Sequence, residues 1–233
     1  MVDAATSSPE AEPAEAGAPT LLRRQIALIV HAGLLIAALS WLVPTLAAWD
    51  PRAGYFFSLT FYWLFFCLPV IGWHALPANS GQLFSERLPW RDWWIIPLLL
   101  AQVGVVAILI FAPNTTFFTS GGMWLAILIA SINGPLEETA WRGGFLGTFR
   151  NRPLLGYVLG CALFTAWHIP LVLGAGLSFE GGWSMLLGGT ALLGLFWAWI
   201  VWRSGSVFYV SIAHTLTNIF LFWVFFDRNG LAA

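Results

Sequence analysis

The chain alternates between long apolar stretches and short polar breaks, and the lengths of the apolar stretches carry the first inference. Seven mostly apolar runs lie near 25–47, 55–76, 93–113, 121–148, 153–176, 183–203 and 205–227. A helix needs about 20 such residues to cross the hydrocarbon core of a bilayer. Each run therefore predicts a spanning helix, and the fold class is all-α: a polytopic membrane helix bundle of about seven transmembrane helices. The last two runs are separated only by Arg203-Ser204-Gly205, a tight turn between antiparallel neighbours. The segment 78–92 reads as a polar connection, with Trp90 at the membrane boundary, where aromatic residues concentrate.

Composition agrees with the pattern. Hydrophobic residues make up 59% and charged residues 9%, against roughly a quarter charged in a soluble domain; the mean hydropathy is +0.78. A net charge of -1 excludes nucleic acid as a partner. All ten basic residues are arginine, a bias that fits a GC-rich bacterial genome. Cys67 and Cys161 both lie inside apolar runs and read as small buried hydrophobes rather than a disulfide or metal pair. Residues 1–20 are rich in Ala, Pro, Ser and Glu and read as a disordered acidic tail. They lack the basic start of a signal peptide, so the first apolar run is expected to be a retained helix.

Arginine placement sets the orientation. With the N-terminus in the cytoplasm, Arg23, Arg24, Arg87, Arg91, Arg150, Arg152 and Arg203 fall inside, and only Arg52 and Arg228 fall outside. This satisfies the positive-inside rule, and the expected location is a bacterial plasma membrane, as a multi-pass protein with its N-terminus in the cytoplasm.

Ionisable groups within a span cost at least about 2.5–3.5 kcal/mol each at the centre and are functional candidates by default. Here they are His31, His74, Glu137, Glu138, Arg142, His168 and His214. His31 and His74 lie near span ends and read as histidines satisfied at an interface or by a backbone carbonyl. The others come to similar depth. At about 1.5 Å rise per residue, Glu137 lies roughly 20 Å inward from Arg150, His168 roughly 24 Å from Arg152, and His214 roughly 16 Å from Arg203. One shared mid-membrane site accounts for all three. Glu138 and Arg142 have the i,i+4 spacing of an intrahelical ion pair, whereas Glu137 is rotated by about 100° and has no such partner in its own helix. His214 and Asn218 present an imidazole and an amide at the same spacing, as Phe164 does for His168. Pro135 predicts a kink, or a break with a helix restarting at Pro135. Broken helices with charges at this depth are tolerated around protein-lined or wet cavities, so the site is expected to hold water.

These residues resemble three motifs of the CAAX protease and bacteriocin-processing (abortive-infection) family. Glu137-Glu138-Thr139-Ala140-Trp141-Arg142-Gly143 is similar to its EExxxR motif, Phe164-Thr165-Ala166-Trp167-His168 to FxxxH, and His214-Thr215-Leu216-Thr217-Asn218 to HxxxN. Trp141 stands where Phe or Tyr is more usual. The resemblance covers roughly residues 119–222. It implies N-terminal transmembrane helices over 21–118, a catalytic helical core over 119–227 with a conical mid-membrane cavity open toward the cytoplasmic side, and a short tail over 228–233. It also implies an intramembrane glutamic endopeptidase similar to the type II CAAX prenyl endopeptidases. Glu137 would be general base on a water, His168 would help bind and polarise that water, and His214 and Asn218 would hydrogen-bond the oxyanion. Glu138 and Arg142 would hold the helix and tune Glu137. No cofactor is implied; the substrate would be a membrane-embedded or lipidated peptide or protein.

Three other readings of the same residues stand beside this one. Two Glu, two His and an Asn could hold a catalytic zinc, although no HExxH signature is present. A Glu/His chain serves proton-coupled transporters, although no inverted repeat with paired broken helices is visible. The polar groups could also join helices in a non-proteolytic membrane scaffold or bacteriocin self-immunity protein.

Overall fold

The computed structural model describes residues 18–79 and 82–232, so the tail expected over residues 1–20 lies almost wholly outside the described residues. Helix α1 (Ala18–Trp49) already includes its last three positions. Then follow α2 (Pro51–Asn79), α3 (Trp90–Phe117), α4 (residues 120–148), α5 (Pro153–Leu173), α6 (Gly182–Ser204) and α7 (Phe208–Arg228). No strand occurs among the described residues. All of these helices except α4 are long and apolar enough to cross a membrane. α4 falls short because Asn133, Glu137, Glu138 and Arg142 interrupt it, and it is these side chains that the neighbouring helices bury. The exposed surface carries many large apolar side chains, including Trp41, Leu64, Trp73, Ile108, Leu109, Trp124 and Leu192, as expected of helices whose outer faces meet lipid.

The two ends of the bundle are tied separately. At one end Gln25 donates to the Thr148 carbonyl and to Asn151, Arg150 donates to Asn79, Ser206 donates to the Leu83 and Ser85 carbonyls, and Arg203 pairs with Asp92 at 2.7 Å. At the other end Asp227 accepts from the Thr119 amide and hydroxyl, Arg228 pairs with Glu180 and donates to Asn114, and Asn229 accepts from the Ser178 amide. The arginines assigned to one side by sequence thus stand at one end of the bundle, with Arg52 and Arg228 at the other.

Prolines shape the helices. Pro69, Pro77 and Pro113 each lack the N–H that would bond the carbonyl four residues earlier, and each follows a wide π-helical turn, at Trp63–Cys67, Ile71–Ala75 and Ala107–Phe111. α1 supplies donors at two of these carbonyls. His31 Nε2 lies 2.7 Å from the Phe65 carbonyl, and Arg24 donates to that of Trp73 at 3.1 Å. His31 is thereby satisfied by a backbone carbonyl, as its sequence position implied. His74 is buried, and its Nδ1 makes no hydrogen bond.

Of the two outcomes expected at Pro135, a kink or a break with a restart, the break does not occur. The α-helix runs through it from Ser120 to Glu137 without a restart, so Glu137 and Glu138 are not in a first turn. One turn later Glu138–Gly143 is π-helical, and Thr139 donates its hydroxyl to the Pro135 carbonyl at 2.6 Å. π turns are rare and mostly single insertions near functional groups.

Candidate active site

The site is built where α4 crosses α7. A close approach makes it possible: a Cβ at Gly134 would collide with Thr215, the residue after His214. With only hydrogen at that point the two backbones meet, and the side chains one turn further along α4 reach those of α7.

The contacts form a chain. Arg142 Nη1 donates to Glu138 Oε1 at 3.0 Å, which confirms the spacing read from sequence. The same oxygen lies 2.7 Å from His214 Nδ1, and His214 Nε2 lies 3.3 Å from Glu137 Oε2. All four side chains are buried, Glu138 completely. Glu138 therefore compensates Arg142 and also orients His214. An ionised carboxylate only accepts, so His214 donates Nδ1–H to Glu138 and its Nε2 is turned to Glu137. Glu137 is not partnerless, as its own helix suggested. It has His214 from α7, while its Oε1 and the Oε2 of Glu138 make no hydrogen bond.

Around this chain are residues that the sequence patterns did not single out. Trp197 stacks on the His214 ring at 4.1 Å between centroids, and its Nε1 donates to Gln102 Oε1 at 3.2 Å. Gln102 in turn donates to Thr217 at 3.0 Å. Arg142 lies over the Phe164 ring at 4.1 Å and donates to the Gly194 carbonyl at 3.4 Å, so its charge meets a π face and a carbonyl dipole as well as Glu138. The FxxxH spacing thus has a visible use: Phe164 carries Arg142 and, at 5.1 Å, the edge of the His168 ring.

His168 is placed less tightly. It lies where α5 loosens, between a helix ending at Ala166 and a short one starting at Ile169 with Pro170 in its first turn. Its Nδ1 lies 2.9 Å from the Phe164 carbonyl, which can only accept, so Nδ1 carries the proton and Nε2 is left as an acceptor. No hydrogen bond or ion pair among the described residues joins His168 to Glu137. Asn218, one turn from His214, is buried and makes no hydrogen bond to another described residue, which leaves its amide available. A cavity of about 10 Å³ is lined by Trp141, Arg142, Tyr157 and Cys161 among others, and one of about 60 Å³ lies between α3 and α7. Among the described residues no three His, Cys, Asp or Glu side chains gather as a metal site.

Residues 119–220 match the family model described as Rce1-like, type II CAAX prenyl endopeptidase. That span holds Glu137, Glu138, Arg142, His168, His214 and Asn218. Comparison with curated proteins gave no match, and comparison with solved structures gave none.

Proposed function

Through residues 119–220 the chain belongs to the CAAX protease family, and from that premise we propose that it is an intramembrane endopeptidase in which Glu137 activates a water. The substrate class is a membrane-embedded or lipidated peptide or protein, and the N-terminus faces the cytoplasm of a bacterial cell. The observation that carries the reading is the buried chain Arg142–Glu138–His214–Glu137, which ends in a carboxylate with one oxygen unpaired. A carboxylate so placed can take a proton from water, and the unprotonated Nε2 of His168 can accept from the same water and polarise it. The amide of Asn218 is the donor for the oxyanion. His214 joins it once Glu137 has taken the water proton and no longer needs the Nε2 contact. The reaction requires no cofactor, and a metal is not part of it.

The test compares membrane-protein termini in cells carrying the wild type or Glu137→Gln. A terminus present only with the wild type supplies a peptide for assays of the purified protein in lipid. Glu137→Gln, His168→Ala and His214→Ala are each expected to abolish its cleavage while remaining folded, and wild-type cleavage is expected to survive a strong chelator. Wild-type turnover by Glu137→Gln would remove the general base from the scheme, and loss of turnover in chelator would restore the zinc reading.

A further inference from the structure

The face of α2 that meets Glu137 lies outside the three motifs and outside residues 119–220. Two hydrogen bonds fix it to α4. Trp63 Nε1 donates to Asn133 Oδ1 at 2.8 Å, and Trp141 Nε1 donates to the Tyr62 hydroxyl at 2.6 Å. Asn133 precedes Glu137 by four residues and Trp141 follows it by four, so α2 grips α4 one turn before and one turn after the carboxylate. Tyr62 is fully buried, stacks on Trp167 at 4.0 Å, and is close enough to Glu137 to interact with it.

The direction of the Trp141 bond decides what Tyr62 can do. An indole N–H is a donor only, so the phenol oxygen is the acceptor and the phenol keeps its own proton to give. Glu137 Oε1 is buried without a hydrogen-bond partner, and Tyr62 interacts with this carboxylate as well as with the Cys67 thiol. A phenylalanine at position 141 could not orient the phenol, because it has nothing to donate.

We propose that Tyr62 is a positioning residue for the reaction: its O–H, oriented by the Trp141 indole, donates to Glu137 Oε1 and holds Oε2 toward His214. The proposal rests on the reading of Glu137 as the base. With Tyr62 on one oxygen and His214 on the other, the carboxylate has a single rotamer from which to meet water. A carboxylate free to turn would spend much of its time out of line.

Tyr62→Phe keeps the ring that stacks on Trp167 and removes only the hydroxyl. In the full-length protein in lipid, cleaving the peptide identified through Glu137, this variant is expected to lose about tenfold to a hundredfold in kcat with KM unchanged. Trp141→Phe is expected to lose less in the same direction, because the phenol remains but is no longer oriented. The infrared band of Glu137, isolated as the difference from Glu137→Gln, is expected to move in Tyr62→Phe. A merely structural Tyr62 would lower the melting temperature and leave both the band and the kcat of folded protein as they were, and that result would overturn the proposal. The infrared measurement needs no substrate. If Glu137→Gln cleaves normally, the base assignment fails, and the band still decides whether Tyr62 bonds Glu137.

Discussion

Gly134→Ala is the smallest change that should separate the two halves of the site. The added methyl would lie 2.9 Å from the backbone nitrogen of Thr215 and 3.1 Å from its Cα, and would overlap the hydroxyl. Carbon contacts settle near 3.5 Å, so α4 and α7 must part by about 0.5 Å. His214 Nε2 and Glu137 Oε2 are 3.3 Å apart, already at the long end of hydrogen-bond range, and a further half ångström breaks the contact. Overpacking of this kind costs about 1–3 kcal/mol. If a misplacement of about 1 Å lowers a rate by on the order of a hundredfold, half of that lowers it by about tenfold. The assay is thermal unfolding in lipid nanodiscs together with turnover of folded protein, with Gly189→Ala as the comparison. Gly189 also lies in a helix, and a Cβ there meets nothing within 4 Å. Alanine favours a helix by about 1 kcal/mol over glycine, so Gly189→Ala should hold or gain stability while Gly134→Ala loses both stability and turnover. Gly134→Ala with wild-type melting temperature and turnover would show that the helix crossing does not set the Glu137–His214 distance.

Two further substitutions probe the support of the site. Arg142→Leu leaves the completely buried Glu138 facing His214 without its cation and is expected to destabilise by about 3–5 kcal/mol, measured by thermal unfolding. Arg142→Lys should recover only part of this, since an ammonium cannot lie flat on Phe164 while bonding both Glu138 and Gly194. Gln102→Leu removes the acceptor that fixes Trp197 over His214. It is expected to cost about 1 kcal/mol in stability and several-fold in turnover, and unchanged turnover would show that His214 does not depend on its stacking partner.

Much of this arrangement was legible because membrane burial makes polar residues conspicuous. The apolar runs located the helices to within a few residues, and Glu138–Arg142 followed from spacing alone. Depth counting brought Glu137 and His214 to one level, and they do touch. The same counting placed His168 with them, yet no bond joins it to Glu137, because rise along a helix says nothing about rotation or tilt. Tyr62, Trp63, Trp141 and Trp197 stayed hidden for a different reason. In an apolar run an aromatic reads as bulk, and its single N–H or O–H becomes informative only when the partner is known; these partners all lie 70 or more positions away, on another helix. The prolines held a signal that patterning did not use. Pro69 and Pro77 mark the carbonyls of Phe65 and Trp73, which α1 then meets with His31 and Arg24.

The charges in the site also explain how proton transfer could proceed in so apolar a place. Arg142 and Glu138 cancel. In the proposed scheme one proton lies between Glu137 and His214, and the pair is neutral whether that proton sits on the carboxyl or on Nε2 of the imidazole. Moving that proton across the 3.3 Å gap therefore changes where charge sits without changing how much the bilayer interior must hold, and it is net charge that low dielectric penalises most. In the proposed reaction the water gives its proton to Glu137 as negative charge develops on the substrate oxygen. His214 can meet that oxygen as an imidazolium while Glu137 becomes a neutral acid, so each new charge forms beside its opposite. Removing Glu138 or Arg142 alone would unbalance this arrangement. Double replacement by Gln and Met should accordingly preserve more folded protein than Arg142→Leu, while exchanging the carboxylate that holds Nδ1–H of His214 for a weaker, neutral amide acceptor.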